Sequence, residues 1–155
     1  MTGLSLGVQP LVAYLYGGGK YLRQNIIGNM GYVTAFVLGI IMMSVSIAGH
    51  NIFPAWFNLQ GEAAAMASHG LIISSTAFLL LGVIRVAGYY YQATGKIMES
   101  SLLIYGDAFF VLPLCLFILP LYLGLDGVWW AMPASRVLLF AYVCWLWFGK
   151  KRRRR

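Results

Sequence analysis

Charge is what this chain has least of. Only 10% of its 155 residues are charged, four of them acidic, and it holds two cysteines and two histidines. No nucleophile–base–acid set is present, so enzymatic chemistry has no support and no catalytic residue is assigned. His50 and His69 flank one connector without a cysteine or carboxylate cluster, which reads as interfacial polarity and not as a metal site. Cys115 and Cys144 both fall in apolar stretches and read as buried thiols without a disulfide. Gly17-Gly18-Gly19-Lys20 and Gly95-Lys96 lack the spacing of a phosphate loop, which excludes nucleotide binding at either. A signal peptide is not expected, since residues 1–16 carry no basic n-region and no small-residue cleavage site.

Apolar side chains dominate instead, at 61% of the sequence, more than a water-soluble domain of this size can bury. The apolar spacing predicts four complete membrane spans near 31–48, 70–94, 102–124 and 128–148. Each approaches or exceeds the ~20 residues that cross a bilayer core. A shorter stretch over 1–16 reads as the tail of a further helix. The fold class expected is therefore all-α, a polytopic transmembrane helix bundle over 1–149, with a basic cytoplasmic tail over 150–155.

Orientation follows from the run Lys150-Lys151-Arg152-Arg153-Arg154-Arg155. Lys and Arg gather on the cytoplasmic side of membrane helices. With that end inside, Lys20, Arg23 and Lys96 also fall inside, while the outer connectors contain Glu62 and Asp126 but no basic residue. Directly after a span, such a run fits anionic lipid better than nucleic acid. Trp129 and Trp130 at one end of the last span, Trp145 and Trp147 at the other, and Tyr89, Tyr90 and Tyr91 near an inner end read as headgroup-level anchors.

The spans are not plain anchors. Ser74, Ser75, Gly82 and Gly88 would let helices approach closely, and Pro113 and Pro120 are expected to kink the third span. Three ionisable residues lie inside spans, Arg85, Asp107 and Arg136, and intramembrane charge is by default a transport candidate. At the helical rise, Arg85 and Asp107 sit roughly 13 and 10 Å from the inner ends of consecutive helices, so an Arg85–Asp107 ion pair is expected. It would either serve transport or only hold two helices together. Arg136, near the midplane, has no obvious acidic partner in this chain.

The run Gly7-Val8-Gln9-Pro10-Leu11-Val12-Ala13-Tyr14-Leu15-Tyr16-Gly17-Gly18-Gly19-Lys20 resembles a signature of multidrug and toxic compound extrusion (MATE) transporters. Tyr91-Gln92-Ala93-Thr94-Gly95-Lys96 is similar to a second motif of that family. Leu119-Pro120, Gly124-Leu125-Asp126-Gly127-Val128-Trp129 and Ala131-Met132-Pro133-Ala134-Ser135 are similar to a third. The motif positions are thus Gln9, Pro10, Gly17, Gln92, Gly95, Lys96, Pro120, Gly127 and Pro133. The resemblance implies part of a six-helix C-terminal lobe, from the end of the eighth helix through the twelfth. It also implies a secondary antiporter that exports organic cations or drugs in exchange for Na⁺ or H⁺ by alternating access.

On that reading the chain is a fragment or has a start upstream of Met1, and its partners are the bilayer, the missing N-terminal lobe and small amphipathic or cationic substrates. No cofactor is implied beyond the coupling ion, and the location is the inner (plasma) membrane, multi-pass, with the C-terminus cytoplasmic. Two departures leave the ion-coupling residues unassigned: Tyr105-Gly106-Asp107-Ala108 stands where the family often has an Arg-Gln pair, and Arg136 where many members have Asp. The alternatives are a lipid-linked oligosaccharide flippase of the same superfamily and a small non-transporting membrane subunit.

Overall fold

The computed structural model describes residues 2–152, with side chains described for 2–147. The chain runs through α1 (Thr2–Gly17), α2 (Tyr21–Ala48), a short α3 (Ile52–Trp56), α4 (Gly61–Ser75), α5 (Ala77–Ala93), α6 (Ile97–Ile104), a π turn (Asp107–Val111), α7 (Leu112–Leu123) and α8 (Leu125–Arg152). No strand occurs among the described residues. Two helices, α2 and α8 over Leu125–Trp147, are long and apolar enough to cross a membrane singly. The pairs α4–α5 and α6–α7 do so together, each bent, by 41° and 45°. Counting each bent pair as one span gives up to four, and together with α1 the described helices make an all-α bundle. Much of the expected basic tail over 150–155 lies outside the described residues: 153–155 entirely, and the side chains of 150–152.

Two boundaries differ from the sequence expectation. α2 begins at Tyr21 and not near 31, because Gly28, which falls before the expected start, is like Gly31 a packing residue inside the helix. With Ala35 and Gly39 they form a buried strip along one face of the helix. A Cβ at Gly39 would stand 2.7 Å from the Phe78 carbonyl oxygen, and one at Gly31 would crowd Val86. Glycine costs a helix about 1 kcal/mol relative to alanine, but here its absent side chain lets α2 lie against α5. α4 likewise starts at Gly61, well before 70. Its junction with α5 bends at Thr76, where the Ser75 and Thr76 hydroxyls donate to the carbonyls of Ile72 and Ile73, each at 2.7 Å. Hydroxyls bonded back to the preceding turn often bend helices.

The expected proline kinks are displaced. The bend of the α6–α7 span lies at the break over Tyr105 and Gly106, just before the π turn, while Pro113 occupies the first turn of α7 and Pro120 continues inside it. A proline ring strikes the carbonyl four residues back, for Pro113 that of Phe109. The wider π turn covers Phe109 and relieves that clash before α7 begins.

At the centre stands α5, packed against α1, α2, α6 and α8. The core comprises Val12, Ile84, Ala87, Tyr90, Tyr91, Leu103, Leu139 and Val143. Tyr90 and Tyr91 are 6% and 2% exposed, so they are core residues and not headgroup anchors. Their rings fill the core near the Gln24 end of α2, where smaller side chains would leave a void. Trp129 also turns inward, its ring lying against Gly70 of α4, whereas Trp130, Trp145 and Trp147 remain exposed.

Candidate functional site: a buried ion pair at a π turn

Asp107 opens the π turn and is buried in the bundle. It follows the 45° bend directly, and the π turn packs on α8, where the Asp107 Oδ2 pairs with Nη1 of Arg136. Both side chains are nearly enclosed, 8% and 12% exposed. The expected Arg85–Asp107 pair does not form. Depth alone placed those residues level with each other, but pairing also requires facing sides. The π turn packs on α8, and α5 instead meets α6 through Gly88 against Leu103 and Ile104. Arg136, for which the sequence offered no partner, is therefore the partner of Asp107. Arg85 is partly buried on α5 and joins no ion pair among the described residues.

The pair is incompletely satisfied. Asp107 Oδ1 is buried without a hydrogen-bond partner, although a carboxylate can accept several bonds. Ser135, fully buried beside Arg136, donates to the Met132 carbonyl at 2.9 Å. π turns inside helices are frequent at functional sites. A buried carboxylate with one open oxygen can accept a proton or contribute an oxygen to a hard cation such as Na⁺.

The motif positions serve mainly architecture. Gly127 brings α8 against α7, since a Cβ there would lie 2.5 Å from the Leu119 carbonyl. Pro120 accepts the Gly124 amide at 2.9 Å, which closes the turn, and Pro133 is buried in α8. Gly95 adopts φ +76°, a conformation open mainly to glycine. Lys96 beside it reaches Glu99 at 3.3 Å and lies 5.7 Å from the Tyr91 ring. Gln92, Pro10 and Gly17 are exposed, and Gln9 is partly buried.

A second polar cluster was missed from sequence. Near the start of α2, buried Gln24 donates to the Tyr90 hydroxyl at 2.9 Å, and that hydroxyl donates to Asn25 Oδ1 at 3.0 Å. The one available signal was an adjacent Gln-Asn pair preceding a small-residue strip. At the opposite end His69 meets Asp126 at 3.5 Å, joining α4 to the start of α8. His50 and His69 line a cavity of about 440 Å³ there, and no group of three potential ligands for a metal ion converges among the described residues.

A bent-helix bundle with an enclosed charge pair is the architecture of a multi-pass membrane protein, and the comparisons narrow that class. The MatE family model matches residues 1–116, and the chain belongs to that family. It is 29% identical over 132 residues to the multidrug export protein MepA of Staphylococcus haemolyticus, an alignment covering 85% of this chain and 29% of that protein. MepA of Staphylococcus aureus is 27% identical over the same length, with the same coverage. DETOXIFICATION 51 of Arabidopsis thaliana is 26% identical over 151 residues, 95% of this chain and 28% of that protein. The chain thus spans less than a third of the length of these relatives. No solved structure matches.

Proposed function

We propose that this chain supplies part of the C-terminal lobe of a multidrug efflux transporter, working as an antiporter by alternating access. The MatE match over 1–116 carries the reading, supported by the multidrug export proteins among its relatives. The lobe rocks against an N-terminal partner lobe around a central cavity, moving Na⁺ or H⁺ one way and a small amphipathic or cationic substrate the other. Asp107 is the coupling-ion candidate. Loading its carboxylate would weaken the hold on Arg136 and loosen α7 from α8, which turns ion binding into helix movement. Arg85, unpaired among the described residues, is available to a carboxylate of the partner lobe.

In the proposed orientation the Lys20, Lys96 and C-terminal end faces the cytoplasm, in keeping with its excess of Lys and Arg. The decisive experiment compares dye efflux by this chain alone and by the chain joined to its upstream coding sequence. Efflux is expected only from the joined protein, and robust efflux by the 155-residue product would sink the reading. Cysteines placed at Glu62 and Lys96 test the orientation, with labelling of intact cells expected at 62 and not at 96.

A further inference from the structure

α4 is packed on one side and faces a void on the other. Of its 15 residues only Gly70 and Ser75 are buried. Gly70 lies against α8, where a Cβ would stand 2.4 Å from the Trp129 ring, and next to it His69 Nε2 meets Asp126 Oδ1 at 3.5 Å. Ser68 and Ile72, two residues to either side of Gly70, point the opposite way at about 100° per residue. With Ala64 and Ala65 they line the cavity of about 440 Å³, whose far wall includes His50, Pro54 and Leu59 of the segment between α2 and α4. The Ser68 hydroxyl reaches the His50 carbonyl at 2.9 Å.

Both ends of α4 are joints. Upstream, Asn58 and Gly61 adopt positive φ, 55° and 60°, in the turn that leads into it. Downstream, the 41° bend to α5 falls at Thr76, beside the back-bonded hydroxyls of Ser75 and Thr76. Hinges are a few residues at element ends that absorb a backbone change. Seven residues separate Thr76 from His69, a lever of ~10 Å, so a rotation of ~20° carries His69 roughly 3–4 Å and parts it from Asp126. Leaning on α8 keeps that contact and leaves the cavity open. Leaning the other way fills the cavity and breaks the contact, so α4 cannot satisfy both sides at once.

We propose that α4 is a hinged half-span with two positions, latched on α8 or swung into the cavity, and that protonation of His69 selects the latched one. An ionised Asp126 only accepts, so Nε2 of His69 carries a hydrogen in either state. Protonating the other ring nitrogen turns a hydrogen bond into an ion pair. Histidine is the side chain whose charge ordinarily changes between pH 5 and 8, so the latch holds best in acid and loosens as pH rises. Little else competes at this end. Residues 33–48 of α2, all of α3 and residues 77–84 of α5 contain no charged residue, and the next charge along α8 after Asp126 is Arg136. His50 has its Nδ1 donating to the Ile47 carbonyl at 2.7 Å, and Glu62 is exposed in the first turn of α4. The His69 and Asp126 side chains are 60% and 58% exposed, which sets the expected population change at about two- to fivefold, that of an exposed ion pair. The proposal does not depend on the transport reading or on which side of the membrane this end faces.

The test places spin labels at Ala63 and Tyr122, both exposed, in the purified 155-residue chain with Cys115 and Cys144 changed to alanine. Electron–electron double resonance in lipid nanodiscs then reads the distance between α4 and the end of α7 at about pH 5.5 and 8.5. Two distances are expected, with the ratio of latched to swung falling about two- to fivefold from the lower pH to the higher. His69→Gln and Asp126→Asn should each flatten that response, whereas His50→Gln should leave it in place. Ala65→Trp, which fills the cavity, should remove the swung population at both pH values. A single distance at both pH values in the otherwise unaltered chain overturns the proposal. So does a response that survives His69→Gln or vanishes with His50→Gln, or a swung population that persists in Ala65→Trp.

Discussion

α5 and α7 are both apolar, yet they sit in opposite surroundings. α5 buries Ala77, Gly82, Ile84, Val86, Ala87, Gly88, Tyr90 and Tyr91. α7 buries Cys115 alone, leaving Phe117 75% and Tyr122 84% exposed. In water such a contrast would follow hydrophobicity. In lipid it does not, because acyl chains solvate leucine as well as a protein core does, and close backbone approach decides which helix becomes central. Gly82, Ala87 and Gly88 give α5 that approach. α6 packs on α5 at Gly88, whereas the bulkier α7 joins the bundle through the seam at Gly127, next to the Asp107–Arg136 pair of the π turn.

The strongest way to break the contrast is to cut the polar attachment next to that seam. Asp107→Asn should cost ~3–5 kcal/mol, because it strands the Arg136 guanidinium in a buried site. Arg136→Gln should cost less, since a stranded carboxyl can take up a proton, whereas arginine stays charged. Unfolding midpoints in detergent measure both, and the exchange of Asp107→Arg with Arg136→Asp should recover part of the loss. Absence of coupling between 107 and 136, or coupling of 107 with 85, would refute the pair.

Gly127→Ala attacks the seam itself. The new methyl would strike the main chain of Leu119, which cannot move aside as a side chain would, so a loss of about 1–3 kcal/mol is expected. Wild-type stability would mean that α7 and α8 separate freely. On the α5 side, Tyr90→Phe keeps the ring and removes the hydroxyl that serves Gln24 and Asn25. Leaving the buried Gln24 amide unpaired should cost ~1–3 kcal/mol, read as a lower midpoint and faster amide exchange in the first turns of α2. The smallest effect belongs to the outer face of α7, where Phe117→Leu should stay within ~0.5 kcal/mol. A large loss there would show that protein, not lipid, covers that face.

Particular residues show where sequence was legible. Apolar runs bounded by polar connectors placed the two long helices and the two bent pairs, since crossing a bilayer demands length and hydrophobicity that few other folds tolerate. The Gln-Pro, Gln-x-x-Gly-Lys and Gly-Val-Trp motifs pointed to the family before any geometry was known. The start of α2 was placed too late, because a glycine that ends a helix and one that admits a neighbour, as Gly28 does Tyr90, look alike in one dimension. Tyr90 and Tyr91 misled for a related reason: an aromatic residue near a span end can face either lipid headgroups or the core.

Sequence by itself therefore determined the helical class, the apolar stretches able to cross a bilayer, the family, and the rarity that makes Arg85, Asp107 and Arg136 conspicuous. Tertiary structure decided which helix is central, where the third span bends, and that Asp107 meets Arg136 and not Arg85. The reason is rotational. Hydropathy and helical rise locate a residue along the membrane normal, but its direction around the helix axis depends on the π turn and on the glycine contacts that orient each helix against its neighbours.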